Sequence, residues 1–274
     1  MERKIALVGN GYIGSKLSLA LGQHFEVEVL SRNITSNQTI LTDALSRFDF
    51  VINAAGYAGE TNIDDCEKEV VTTVESNFDL ARRIALASHD TKIRMIQLST
   101  GCVFEGDELC EFKEEDEPNL LNGVYRQTKA LAESFVMTKA YRPIVARIRL
   151  PFDDRHHSRN LFTKLSAYPV LVNHKNSVTS VDDLADTVVQ MCADFDFASD
   201  VYHVTNPHFV STREIAEALK LDCDWMSDDK LNSIVKIRRS RCVLNTKKLY
   251  NAGVVIPFAP YAVAKCAEIY RGEQ

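Results

Sequence analysis

The sequence predicts an α/β fold: a doubly wound parallel sheet with a small C-terminal substrate lobe. Two observations carry that expectation. Short apolar runs, Lys4-Ile5-Ala6-Leu7-Val8, Val27-Glu28-Val29-Leu30, Phe50-Val51-Ile52, the stretch through Ile93, Met95, Ile96 and Leu98, and Ile144 to Leu150, alternate with helix-like segments. The first run leads into Gly9-Asn10-Gly11-Tyr12-Ile13-Gly14, with a helical segment from Ser15 to Leu21 behind it. Strand before and helix after is the context that gives a G-x-G-x-x-G its meaning.

Composition narrows the classes. The chain has 274 residues, 45% of them hydrophobic and 26% charged, which suits a globular protein rather than a disordered one. Net charge is −6 and the one basic cluster is Arg238-Arg239-Ser240-Arg241, so nucleic acid and anionic membrane are poor partners. No run reaches the roughly 18 to 20 apolar residues of a membrane span, and the N-terminus enters a strand without a signal-peptide core. Seven scattered cysteines suggest neither a disulfide framework nor a zinc site, and no metal is expected. The expected setting is a reduced cytoplasm.

Taken in order, the glycine motif opens a dinucleotide-binding Rossmann sheet. Gly9, Gly11 and Gly14, with Tyr12 and Ile13 between them, permit a tight turn, a close pyrophosphate and close helix packing at a helix N-terminus. The second strand ends in Ser31-Arg32-Asn33, where NAD-preferring sites carry a carboxylate for the ribose. A hydroxyl and a guanidinium at Ser31 and Arg32 suit a 2′-phosphate, which favours NADPH, with NADH the alternative and a solvated loop arginine the plainer reading. The third strand ends in Asn53-Ala54-Ala55-Gly56, small enough for the backbone to pass near a dinucleotide. A polar loop, Tyr57 to Glu69, precedes a helix from Val70 to Ser88. Asn77 in that helix is expected to bridge to the catalytic strand, or else to cap or face solvent.

The central strand ends in Ser99-Thr100-Gly101-Cys102, an apolar run that breaks into small polar residues and a thiol. Glu105 to Asn122 is a long acidic loop suited to binding or to a lid. Tyr125 and Lys129 then stand one helical turn apart and project from the same face. A phenol with a pKa near 10 exchanges protons poorly at neutral pH, and a nearby ammonium brings it toward the working range. Beyond Pro151 come a charged loop from Asp153 to Asn160, a short helix from Leu161 to Ala167 presenting Lys164, extended segments near Val170 and Val178, and a helix opened by Val181. A last strand at Val201-Tyr202-His203-Val204 and a capping box at Ser211 complete the pattern. The expected division is residues 1–152 plus about 170–205 for the dinucleotide, and about 153–169 plus 206–274 for the substrate.

With the glycine motif, Thr100, Tyr125 and Lys129 assembled, the chain resembles the extended short-chain dehydrogenase/reductases. Asn53-Ala54-Ala55-Gly56, Asn62 to Glu67 and Thr100-Gly101-Cys102-Val103-Phe104-Glu105 narrow the resemblance to the nucleotide-rhamnose synthase branch, similar to the dTDP-4-dehydrorhamnose reductase family. Phe112 to Asn119, Arg159 to Lys164, Asn176 to Thr179, Thr205-Asn206-Pro207 and Leu244 to Leu249 fit the same pattern, and His156-His157 departs from it. The resemblance implies a 3,5-epimerase and 4-reductase acting on a UDP- or dTDP-linked 4-keto-6-deoxyglucose. Tyr125 would be the general acid, Lys129 its modulator and ribose ligand, and Thr100 the hydrogen-bond donor to the C4 oxygen.

Cys102 would be the epimerase base, given a neighbouring positive charge, and Lys164 the group on the opposite face. An inert thiol and a solvated lysine are the bland alternatives. Arg238 and Arg239 could clamp the pyrophosphate or form a surface cluster, and Asn160 is a further substrate candidate. Two rivals stand beside this reading, a reductase without epimerase activity and a non-catalytic NADP-binding regulatory subunit. The oligomeric state stays open, a homodimer being the commonest closed assembly.

Overall fold

The structure, a computed structural model, describes residues 3–106 and 111–272. The chain divides into two compact units. The first takes Met1–Thr100, Leu121–Arg147 and Ala185–Tyr202, the second Gly101–Leu120, Ile148–Leu184 and His203–Gln274.

The central sheet has six strands: β1 (Lys4–Val8), β2 (Glu26–Leu30), β3 (Phe50–Asn53), β4 (Arg94–Thr100), β5 (Ile144–Ile148) and β6 (Val201–His203). Their spatial order is β6-β5-β4-β3-β1-β2. β1 lies parallel to both β2 and β3, with Ile5 opposite Val27 on one side and Phe50 on the other. The order therefore reverses between β1 and β3, and in open α/β sheets the crevice beyond the strand ends at such a reversal binds ligands. The apolar runs follow from burial on both faces: every residue of β3 and β4 is buried, so these strands do not alternate. Edge strand β2 differs, with Glu26 and Glu28 held in exposed ion pairs by Lys4 and Arg47.

Helix α1 (Tyr12–Leu21) starts three residues before the expected Ser15, because the last turn of the glycine motif is already helical. Behind β2 come α2 (Arg32–Thr35) and α3 (Gln38–Leu45), which Asn37 caps by accepting from Ile40 N at 3.1 Å. The single helix expected over 70–88 is three pieces: α4 (Val70–Val74), a π-helical turn (Glu75–Asp79) and α5 (Leu80–Thr91). α3 and α5 pack Leu41, Leu45, Ile84 and Ala85 into one core with Val51, Met95 and Val145. Helix α6 (Val124–Lys139) begins at Gly123, whose φ of +94° few other residues adopt, and Glu67 Oε1 accepts from Val124 N at 2.6 Å.

The second unit has its own core of Phe152, Phe162, Val178, Ile215, Val263 and Tyr270. Short strand pairs tie it together, among them Glu111–Phe112 with Val243–Leu244 and Lys175–Asn176 with Val210–Ser211. The capping box at Ser211 is present, with Glu214 as its second member, and opens the helix Thr212–Leu219. Of the acidic loop, residues 107–110 lie outside those described. Its described part is anchored: the Asn119 side chain bonds both backbone groups of Glu105 at 2.8 Å, and Leu120 N donates to Val103 O. No described helix is long and apolar enough to cross a membrane.

Candidate functional site

In the first unit the glycine loop and the end of β3 meet at the reversal of strand order. Ala54 N donates to Val8 O at 2.9 Å. Gly9 has φ +93°, and a Cβ there would lie 2.6 Å from Ala55 N. A Cβ on Gly14 would stand 2.0 Å from Gly9 O, whereas one on Gly11 would meet nothing within 4 Å. Two glycines are thus required by the protein's own packing, and the third leaves open space at the start of α1. Gly11 offers no side-chain cap there. This is the cradle that a pyrophosphate needs, with backbone N–H groups and a helix dipole directed at it. Ser31 and Arg32 are exposed just past β2.

Asn53 has another task than lining that cradle. It is buried, donates from Nδ2 to Gln97 Oε1 at 2.9 Å and accepts from Ala55 N at 3.2 Å, so it ties β3 to β4 and shapes the loop. Asn77 does not reach the catalytic strand. Its side chain clasps the backbone of Tyr57, accepting from N at 2.7 Å and donating to O at 2.8 Å, and it donates to Thr128 Oγ1 at 3.4 Å. The wide π turn carries it.

Lys129 is buried, and its Nζ donates to Leu98 O at 2.7 Å, which fixes the ammonium to the strand that ends in Thr100. Burial pushes its pKa down to about 8, and Glu133, one turn further along α6, pulls it upward. Glu133 also accepts from Ser99 Oγ at 2.7 Å and pairs with the buried Arg147 at 2.5 Å. Tyr125 is half-buried and Thr100 buried.

In the second unit Cys102 is half-buried, and its sulfur faces a charge rather than an apolar interior: Arg149 Nη1 lies 2.8 Å from Sγ. Lys164 is half-buried and within electrostatic reach of Cys102; burial and then Arg159 push its pKa down, whereas Cys102 raises it. Arg239 acts on Lys164 in the same downward sense. Its neighbour Arg238 pairs instead with Glu105 at 2.6 Å. The two arginines expected to act together are therefore engaged differently.

Asn160 is not placed to touch a substrate. It is fully buried, caps the helix Leu161–Ser166 by accepting from Phe162 N at 3.0 Å, and donates to the carbonyls of Asp153 and Arg155, both at 2.7 Å. It holds the helix that carries Lys164. Of the two histidines outside the family pattern, His157 Nδ1 accepts from Arg159 N at 3.0 Å and His156 packs on Tyr270. Sequence reasoning missed Arg149 and Glu133. The one signal for Arg149 was charge where an apolar residue is the rule, since Arg147 and Arg149 flank the end of β5; Glu133, on helix α6, carried none.

A dinucleotide cradle at the reversal of strand order and a Tyr-x-x-x-Lys helix beside the central strand define an oxidoreductase of the pyridine-nucleotide class. Residues 3–258 match the family model described as the RmlD substrate binding domain, and the chain belongs to that family. The bifunctional dTDP-4-dehydrorhamnose 3,5-epimerase/dTDP-4-dehydrorhamnose reductase of Arabidopsis thaliana is 33% identical over 217 residues, 76% of this chain and 71% of that one. The chain also matches trifunctional UDP-glucose 4,6-dehydratase/UDP-4-keto-6-deoxy-D-glucose 3,5-epimerase/UDP-4-keto-L-rhamnose-reductases of the same plant at 31% identity, spanning 32% of their length. In fold it is similar to the UDP-rhamnose synthase of Acanthamoeba polyphaga mimivirus, with TM-score 0.89, 24% identity and coverage of 98% and 100% of the two chains. A dTDP-4-dehydrorhamnose reductase of Bacillus anthracis in complex with NADP gives TM-score 0.81 at 18% identity, covering 97% and 99%.

Proposed function

We propose that the protein converts a UDP- or dTDP-linked 4-keto-6-deoxyglucose to the nucleotide-L-rhamnose, inverting C3 and C5 and then reducing C4. The observation that carries the epimerase half is the surroundings of Cys102, with a guanidinium at 2.8 Å and a depressed lysine within electrostatic reach. The relatives' names support the same reading.

The C3 and C5 protons are acidic because both carbons flank the C4 ketone. Cys102 as thiolate takes such a proton, the C–H electron pair moves onto the C4 oxygen as an enolate, and Lys164 returns a proton to carbon from the opposite face. Thr100 and Tyr125 hydroxyls stabilise the enolate oxygen. In the reduction Tyr125 delivers a proton to the same oxygen, supported by the Lys129 ammonium. The dinucleotide, NADPH by preference and NADH as the alternative, would be held by Gly9, Gly11, Gly14, Ala54, Ala55 and the Ser31-Arg32 pair, and would supply hydride for C4. Arg239 suits the substrate diphosphate.

The test is solvent deuterium incorporation at C3 and C5 with each 4-keto sugar nucleotide and NADPH. We expect exchange in the wild type and its loss in Cys102→Ser. Unchanged exchange in that variant would falsify the role of Cys102. A second reading, reduction alone, is favoured by the relatives named simply dTDP-4-dehydrorhamnose reductase, at 24% and 27% identity. It predicts NADPH oxidation without exchange.

A further inference from the structure

We propose that Arg149 is the counter-ion that keeps Cys102 as a thiolate, a positioning residue for proton abstraction. Its meaning for catalysis rests on the epimerase reading above, whereas the ion pair rests on geometry alone.

Arg149 is 3% exposed, and a guanidinium stays charged in any protein environment. Its Nη2 donates to Asn176 Oδ1 at 2.7 Å and to Ser240 O at 2.6 Å, and its backbone N donates to Thr179 Oγ1 at 3.0 Å. Those oxygens are neutral. They aim the guanidinium without cancelling its charge, and the amine they leave directed outward, Nη1, meets Cys102 Sγ at 2.8 Å. A buried cation is stabilised most by an anion in contact, and among these four contacts the Cys102 thiol is the group that can ionise; the Cys242 thiol, which Arg149 also hydrogen-bonds, is held toward its neutral form by burial.

Among the described residues, Cys242 and Lys164 also act electrostatically with Cys102. Cys242 is buried, and burial drives its thiol pKa up, which favours the neutral form even though Arg149 hydrogen-bonds it and pulls the pKa back down; the guanidinium serves both sulfurs, and Cys102 is the less buried of the two. Lys164 is the other, pushed down by its own burial and by Arg159 and Arg239. A thiolate at residue 102 opposes those influences and favours the protonated amine. The result is a base and an acid at one pH: the thiolate can withdraw a carbon-bound proton while the ammonium delivers one. Without Arg149 the thiolate would lean more heavily on Lys164, which favours a shared proton over a division of the two tasks.

The experiment is a pH titration of thiolate ultraviolet absorbance on the full chain, read as the difference between wild type and Cys102→Ser. The difference should rise with a midpoint below about pH 7.5, against roughly 8.5 for a free thiol. A midpoint at or above the free value overturns the proposal. In Arg149→Gln the midpoint should move up by at least about one unit, with iodoacetamide alkylation of Cys102 at neutral pH slowed on the order of tenfold. Arg149→Lys, which keeps the charge but not the fork, should recover part of the shift. An unmoved midpoint in a folded Arg149→Gln variant also overturns it; if that variant does not fold, the wild-type difference titration decides alone. A low midpoint without deuterium exchange at C3 or C5 would leave the ion pair standing and remove the epimerase reading.

Discussion

Between Thr100 and Cys102 stands a residue with no side chain, and Leu244 is the reason. A Cβ on Gly101 would lie 2.6 Å from Leu244 Cδ1, and Leu244 is itself 2% exposed, so it has nowhere to swing. Gly101→Ala should therefore cost about 1–3 kcal/mol in a chemical denaturation experiment. It should also slow C3/C5 exchange more than ketone reduction, because the displaced residue adjoins the thiol. At this scale the sequence was partly legible. Gly9 and Gly14 could be read from spacing alone, since the positive φ of Gly9 and the Gly9 carbonyl that crowds Gly14 are local, although the Ala54-Ala55 backbone that also excludes a Cβ from Gly9 comes from β3's end. Arg149, Asn77 and Asn160 could not. Their partners lie 47, 20 and 7 residues away, and no periodicity records which atoms a side chain will meet.

Helix α6 shows how one element serves several needs at once. Lys129, buried and tied to Leu98 O, has its pKa down at about 8, and Glu133 is the group that pulls it back up. The reduction rate should fall as pH rises through about 8, where the ammonium is lost. In Glu133→Gln that alkaline limb should start at lower pH, readable in the pH profile of kcat. The same substitution strips Arg147 of its buried carboxylate and should destabilise the fold by about 3–5 kcal/mol. The sign of the stability effect of Lys129 itself follows from its lowered pKa. Between about 8 and 10.5 the unfolded chain binds the extra proton, so the burial penalty is full below that window and fades as pH rises through it. Elements were legible where burial is uniform, as in β3 and β4, whose apolar runs bracket the observed strands. They were not legible where a helix changes pitch: nothing in Glu75-Ser76-Asn77-Phe78-Asp79 announces a π turn.

For the whole molecule, a net charge of −6 repels a phosphorylated ligand at long range, so local cations must supply the attraction. Under the proposed function that local charge for the dinucleotide is Arg32, exposed beyond β2. NADPH at a hundred times its Kd should stabilise the protein by about 2.7 kcal/mol, a Tm rise of roughly 5–10 °C in differential scanning fluorimetry. Arg32→Ala should reduce that rise for NADPH while leaving the NADH response in place. The doubly wound sheet was readable from the alternation of strand and helix. The paired two-residue strands of the second unit were not, because two residues are too few to show a period.

The segment from Ser240 to Leu244 offers a last consequence. Ser240 O holds Arg149, Cys242 Sγ donates to Gly101 O at 3.3 Å, and Leu244 packs on Gly101. None of these residues is chemically reactive toward a sugar, yet each braces the reactive sulfur. A fragment cut before residue 240 would keep every named acid and base and still lose the scaffold that arms the thiol. An inventory of reactive side chains would misjudge such a fragment as competent.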